Sequence, residues 1–79
     1  MTRPGPHIGI LLYDGYSLLD AAGPADLLSR LPGATVTMIA EHRGPVRADT
    51  GQVAMLADRA VGDVDRLDVL LVPGGGPTR

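Results

Sequence analysis

Apolar residues fill positions 7–13 almost without a break, as His7-Ile8-Gly9-Ile10-Leu11-Leu12-Tyr13, and the run stops at Asp14-Gly15. A short continuous apolar stretch closed by a turn dipeptide is the pattern of a strand buried on both faces, as the central strands of parallel sheets are. From Ser17 the period changes. Leu18, Ala21, Ala22, Ala25 and Leu28 recur at helical spacing, Leu27 and Leu31 lie beside them, and Leu31-Pro32-Gly33 ends the stripe. The spacing predicts an amphipathic helix with Ser17 as its N-cap. Residues 34–40, Ala-Thr-Val-Thr-Met-Ile-Ala, return to β-branched, strand-like composition. Strand, helix and strand within about 35 residues make a βαβ unit, whose crossover sets the two strands parallel in one sheet with the helix on a face.

Further on, Gly44-Pro45 predicts a turn, and Val46-Arg47-Ala48 and Val53-Ala54-Met55-Leu56 flank Asp49-Thr50-Gly51 as the arms of a small hairpin. Residues 58–66 are polar with weak helical character. A third buried-strand pattern, Leu67-Asp68-Val69-Leu70-Leu71-Val72, then runs into Pro73-Gly74-Gly75-Gly76-Pro77. A parallel strand, a glycine loop and a proline suited to a first helical turn lead into a further helix. Three parallel strands and one helix leave a sheet face and a strand edge uncovered. The expectation is an incomplete α/β domain, with residues 1–79 as its N-terminal part.

The 79 residues are enough for one domain only, and a chain of this size buries about 60% of the surface it exposes when unfolded. With 44% apolar residues but two tyrosines, no Phe and no Trp, the core must be aliphatic, which suits helix-on-sheet packing. Cysteine is absent, which excludes a disulfide framework, a thiolate zinc site and a cysteine nucleophile within these residues. No apolar run reaches the length of a membrane span or a signal peptide, and the reading is a soluble, cytoplasmic chain. Net charge is −2 and the arginines are scattered, so nucleic acid and membrane are not expected partners of this segment.

In open α/β sheets ligands bind beyond the carboxyl ends of the strands, here Asp14-Gly15 and the Gly74-Gly75-Gly76 loop. Glycines there can aim backbone N–H groups at an anion or a developing oxyanion, although a glycine run is more often a flexible turn. No Lys-Ser/Thr follows for a P-loop, and no dinucleotide glycine pattern follows Leu12. Asp20 falls in the first helical turn, where the dipole favours a carboxylate. Pro24, four residues on, cannot donate to the Asp20 carbonyl. Two readings stay open: Asp20 inside a helix opened at that turn, or a helix that starts at Pro24 with Asp20 in the preceding loop. Ser17 reads as a cap rather than a nucleophile, since no histidine is near it in sequence; His7 and His42 sit at strand ends without metal-ligand spacing, and Asp14 is a turn residue.

Leu11-Leu12-Tyr13-Asp14-Gly15-Tyr16, Leu18-Leu19-Asp20-Ala21-Ala22-Gly23-Pro24, Gly44-Pro45-Val46-Arg47 with Asp49-Thr50-Gly51, and Asp68-Val69-Leu70-Leu71-Val72-Pro73-Gly74-Gly75 stand in this order. Together they resemble the N-terminal half of the ThiJ/PfpI superfamily, in particular its isonitrile hydratase-like branch. The resemblance implies a flavodoxin-like, class I glutamine amidotransferase-like parallel sheet with helices, assembled as a homodimer and working on a small-molecule substrate without a cofactor. It implies a cysteine nucleophile on a strand-to-helix elbow, which would fall beyond Arg79. It makes Asp20 the acid that hydrogen-bonds and tunes that thiolate, and Gly75 the donor of an oxyanion-hole N–H. The activity implied is hydration or hydrolysis of a small molecule such as an isonitrile. Similar N-terminal halves also occur as sensing or dimerisation domains of AraC-type transcription regulators, which is the alternative.

Overall fold

A computed structural model of the protein describes residues 5–75. Most of the irregular lead expected over residues 1–6, and the Pro77 expected to open a further helix, fall outside that range. In chain order the elements are β1 (His7–Leu11), α1 (Leu18–Leu28), β2 (Thr35–Ala40), β3 (Gly44–Arg47), β4 (Ala54–Ala57), β5 (Arg59–Ala60), a 3₁₀ turn (Val61–Asp63) and β6 (Val69–Leu71). The main sheet has the order β5-β2-β1-β6 with every pair parallel. Its registers include Ile10 opposite Met38 on one side and Leu71 on the other. β3 and β4 form a separate antiparallel hairpin, with Val46 opposite Met55.

Alternation along the strands decides what each face buries. Ile10, Leu12, Tyr16, Ala21, Ala40, Ala48 and Ala57 make one buried cluster, and half-buried Leu18, Ala25, Val36, Met38 and Leu71 pack against it. This is the βαβ layer, with α1 on one face of the sheet. On the other face Gly9 lies under Leu67, so closely that a Cβ there would be 2.6 Å from Leu67 Cδ1. A larger residue at position 9 would require the Leu67 side chain to move. Val69, Leu70 and Val72 on and after edge strand β6 are about half exposed, at 47%, 53% and 57%.

The helix begins where the stripe predicts, with Ser17 at the N-cap position in extended conformation (φ −72°, ψ 119°). Its cap is the backbone alone: Ala21 N–H reaches the Ser17 carbonyl at 3.2 Å, and the hydroxyl makes no capping bond. The last turn tightens, with Arg30 and Leu31 N–H bonding the carbonyls of Leu27 and Leu28, before Gly33 (φ 78°) reverses the chain. The helical character expected over residues 58–66 is not realised. Asp58 N–H bonds the Met38 carbonyl at 2.8 Å and draws the segment onto the sheet edge as β5, after which the 3₁₀ turn follows. A two-residue strand is too short to show alternation, and so leaves no periodic signal. Among the described residues no helix is long and apolar enough to cross a membrane.

Candidate active site

Because β1 and β6 are adjacent and parallel, the loops leaving their carboxyl ends are neighbours. The first turns at Gly15, whose φ of 88° lies in the region that favours glycine. The second, Pro73-Gly74-Gly75, is tied to the first by an antiparallel bridge between Tyr16 and Gly75. The bond that holds the bridge runs from Ser17 N–H to the Gly74 carbonyl at 2.6 Å, so Gly75 N–H takes no part in it.

Asp20 lies inside α1, and so does Pro24, which settles the two readings of the helix start in favour of the first. The Asp20 side chain leans over the glycine loop: a Cβ on Gly74 would sit 3.2 Å from Asp20 Oδ2. Glycine at 74 therefore leaves room for the carboxylate. Asp20 and Gly75, singled out separately in the sequence, come together on one rim, the carboxylate at the positive end of α1 and the amide one residue past its neighbour. Such a pair can hold a proton on one side of a reacting atom and donate a hydrogen bond to an oxygen on the other. Neither group is a thiol, and the 79 residues contain no cysteine.

The remaining candidates stand apart. His7 Nε2 pairs with Thr37 Oγ1 at 2.9 Å at the opposite end of β1, and His42 is exposed. Among the described residues no three His, Asp or Glu side chains gather as metal ligands would. Asp14 is exposed in its turn. A groove of 650 Å³ opens between the end of β2 and the hairpin, with Leu12, Tyr13, Ala40, His42 and Val46 among its walls. It shares Tyr13 with the glycine loop but contains neither Asp20 nor Gly75.

Two residues of the rim escaped the sequence reading, although a chain with two tyrosines and no Phe or Trp marks both. Tyr13 Oη donates to the Pro73 carbonyl at 2.5 Å, and its ring lies against Gly75, where a Cβ would be 2.9 Å from Tyr13 Oη and 3.1 Å from Cε1. Tyr16 is completely buried; its hydroxyl donates to the Val46 carbonyl and accepts from Met55 N–H, both at 3.1 Å. Its backbone carbonyl accepts from Asp49 N–H at 2.8 Å. Burial pushes the Tyr16 phenol above its ordinary 10.0; the Met55 bond opposes this and the Asp49 charge adds to it.

Comparison with known proteins points the same way as the motifs. The DJ-1/PfpI family matches over residues 6–79. An isonitrile hydratase of Pseudomonas putida is 37% identical over 68 residues, which are 86% of this chain and 29% of that protein. A crystal structure of a ThiJ/PfpI family protein from Pseudomonas syringae superposes with a TM-score of 0.82 at 34% identity, over 91% of this chain and 30% of the other. An AraC family transcriptional regulator of Pseudomonas putida shares the fold, with a TM-score of 0.64 at 23% identity, over 95% of this chain and 50% of the regulator. The chain spans less than a third of the length of the first two relatives.

Proposed function

Because this chain belongs to the DJ-1/PfpI family, we propose that it is the N-terminal part of a cytoplasmic, homodimeric enzyme that hydrates or hydrolyses a small electrophilic molecule. The substrate class is the isonitrile, after the Pseudomonas putida relative. Asp20 is the acid–base group, Gly75 N–H is the oxyanion donor, and the attacking thiolate comes from polypeptide outside these 79 residues. The observation that carries the reading is the approach of the Asp20 carboxylate to the Gly74-Gly75 loop.

The chemistry balances without a cofactor. The thiolate adds to the terminal carbon of the isonitrile while the Asp20 carboxyl delivers a proton to that carbon, giving a thioimidate. Water then adds across the C=N bond, its proton going to nitrogen, and Gly75 N–H stabilises the oxygen as negative charge gathers on it. The C–S bond breaks, the hydroxyl proton returns to Asp20, and an N-substituted formamide leaves.

The test grafts residues 6–75 into the Pseudomonas putida isonitrile hydratase in place of the matching segment and follows formamide release from an alkyl isonitrile. Asp20→Asn in the graft lowers kcat/KM by about 10²–10⁴, the usual span for a lost acid–base group. Turnover by the 79-residue chain alone, or full activity of the graft carrying Asp20→Asn, refutes the assignment. The AraC family likeness supports a second reading, a ligand-sensing domain, through shape alone. On that reading Asp20→Asn alters ligand binding but no turnover exists to lose.

A further inference from the structure

We propose that Tyr13 is a positioning residue for the Gly75 amide, an inference that rests on reading Gly75 as the oxyanion donor. A backbone donor works only if its peptide plane is fixed before the reaction. Gly74 and Gly75 have no side chains to fix theirs, and glycine is the residue whose planes turn most freely. Two bonds supply what the glycines lack. The Pro73–Gly74 peptide is held through its carbonyl by Tyr13 Oη at 2.5 Å, and the Gly74–Gly75 peptide through its carbonyl by Ser17 N–H at 2.6 Å.

In a trans peptide the C=O and N–H point in opposite directions. With the Gly74 carbonyl turned to Ser17, Gly75 N–H faces away from Ser17. The Tyr13 side chain then closes the loop from the side, where a Cβ on Gly75 would lie 2.9 Å from Tyr13 Oη and 3.1 Å from Cε1. Of the two clamps only Tyr13 is a side chain, so only this one is open to change by substitution. The phenol proton is committed to Pro73, and Tyr13 acts through the loop rather than on a substrate.

The experiment is ¹⁵N relaxation on the 79-residue chain with and without Tyr13→Phe, which removes the hydroxyl and keeps the ring. Wild-type Gly74 and Gly75 amides should show order parameters near the rigid value of about 0.85, falling below about 0.6 in the variant. Ile10 and Met38 amides in the sheet should not change. Unchanged glycines, or an equal loss at Ile10 and Met38, overturn the proposal. If the variant does not fold, the wild-type chain still decides: a Tyr13 hydroxyl proton protected from solvent and correlated with Pro73 supports the clamp, and one in free exchange overturns it. Sodium formate, a small oxyanion, separates the underlying reading. A wild-type Gly75 resonance that formate shifts, with the shift lost in Tyr13→Phe, supports both. Lowered order parameters in the variant with no formate response in either protein uphold the clamp and remove the oxyanion role.

Discussion

Replacing Tyr16 by Phe isolates one hydroxyl whose surroundings are fully defined. The ring is 0% exposed, and Phe refills its volume, so no cavity term enters. What disappears is the partner of the Val46 carbonyl and of the Met55 N–H, each 3.1 Å from the phenol oxygen. Losing a buried hydroxyl with two backbone partners costs about 1–3 kcal/mol, and we expect about 2 kcal/mol. A domain of this length has a total stability of about 4–12 kcal/mol, so the variant keeps its fold with a visibly smaller margin. With a urea m-value of about 1 kcal/mol/M, the midpoint by far-ultraviolet circular dichroism falls by about 2 M at unchanged slope. The same substitution alters the alkaline limb. Burial raises the Tyr16 phenol above 10.0 in the folded chain, so the unfolded chain ionises first. Stability is intact below about pH 10 and declines as pH rises toward the folded value, and the Phe variant loses that part of the decline. A midpoint shift under about 0.5 M, or an unaltered alkaline limb, refutes the anchoring role given to this hydroxyl.

The two glycines of the loop should respond differently to alanine. Gly75→Ala sets a methyl 2.9 Å from Tyr13 Oη and 3.3 Å from the Gly15 carbonyl, and urea titration should show a loss of about 1–3 kcal/mol, the usual cost of overpacking. Among the described residues Gly74→Ala meets the Asp20 carboxylate alone, at 3.2 Å, which can swing aside; stability should change by less than about 0.5 kcal/mol, while turnover of the grafted enzyme falls with the displaced acid. Pro24→Ala gives the Asp20 carbonyl an intrahelical donor and should raise the thermal midpoint by a few degrees, about 1 kcal/mol; a fall would mean that the proline-opened turn is itself stabilising.

Element type was legible wherever a single periodicity governed more than four residues. β1, α1 and β2 announce themselves because one face or both faces of each are apolar over a full element. The hairpin was visible from Asp49-Thr50-Gly51 between two short apolar arms. β5 was not, because a two-residue strand has no period and its place on the sheet is set by the Asp58 bond to a distant carbonyl. At the rim, a first-turn carboxylate and a glycine loop can be picked out from sequence, and so can a proline four residues after the carboxylate. That Pro24 is accommodated inside α1 is a tertiary outcome that local propensity could not decide. Tyr13 and Tyr16 were hidden for a related reason: Tyr13 reads as the last position of an apolar run, Tyr16 as one letter of a motif, and only the folded chain shows where their hydroxyls go.

The placement of the aromatic residues has a practical consequence. With no Phe and no Trp, Tyr13 and Tyr16 are the chain's only near-ultraviolet chromophores, and both stand at the same rim, one against Gly75 and one beneath the hairpin. Near-ultraviolet absorbance and phenol emission from the unmodified protein therefore originate wholly in that region. Any ligand that settles there meets a built-in optical reporter in the protein itself, with no label to attach and no background from elsewhere in the molecule.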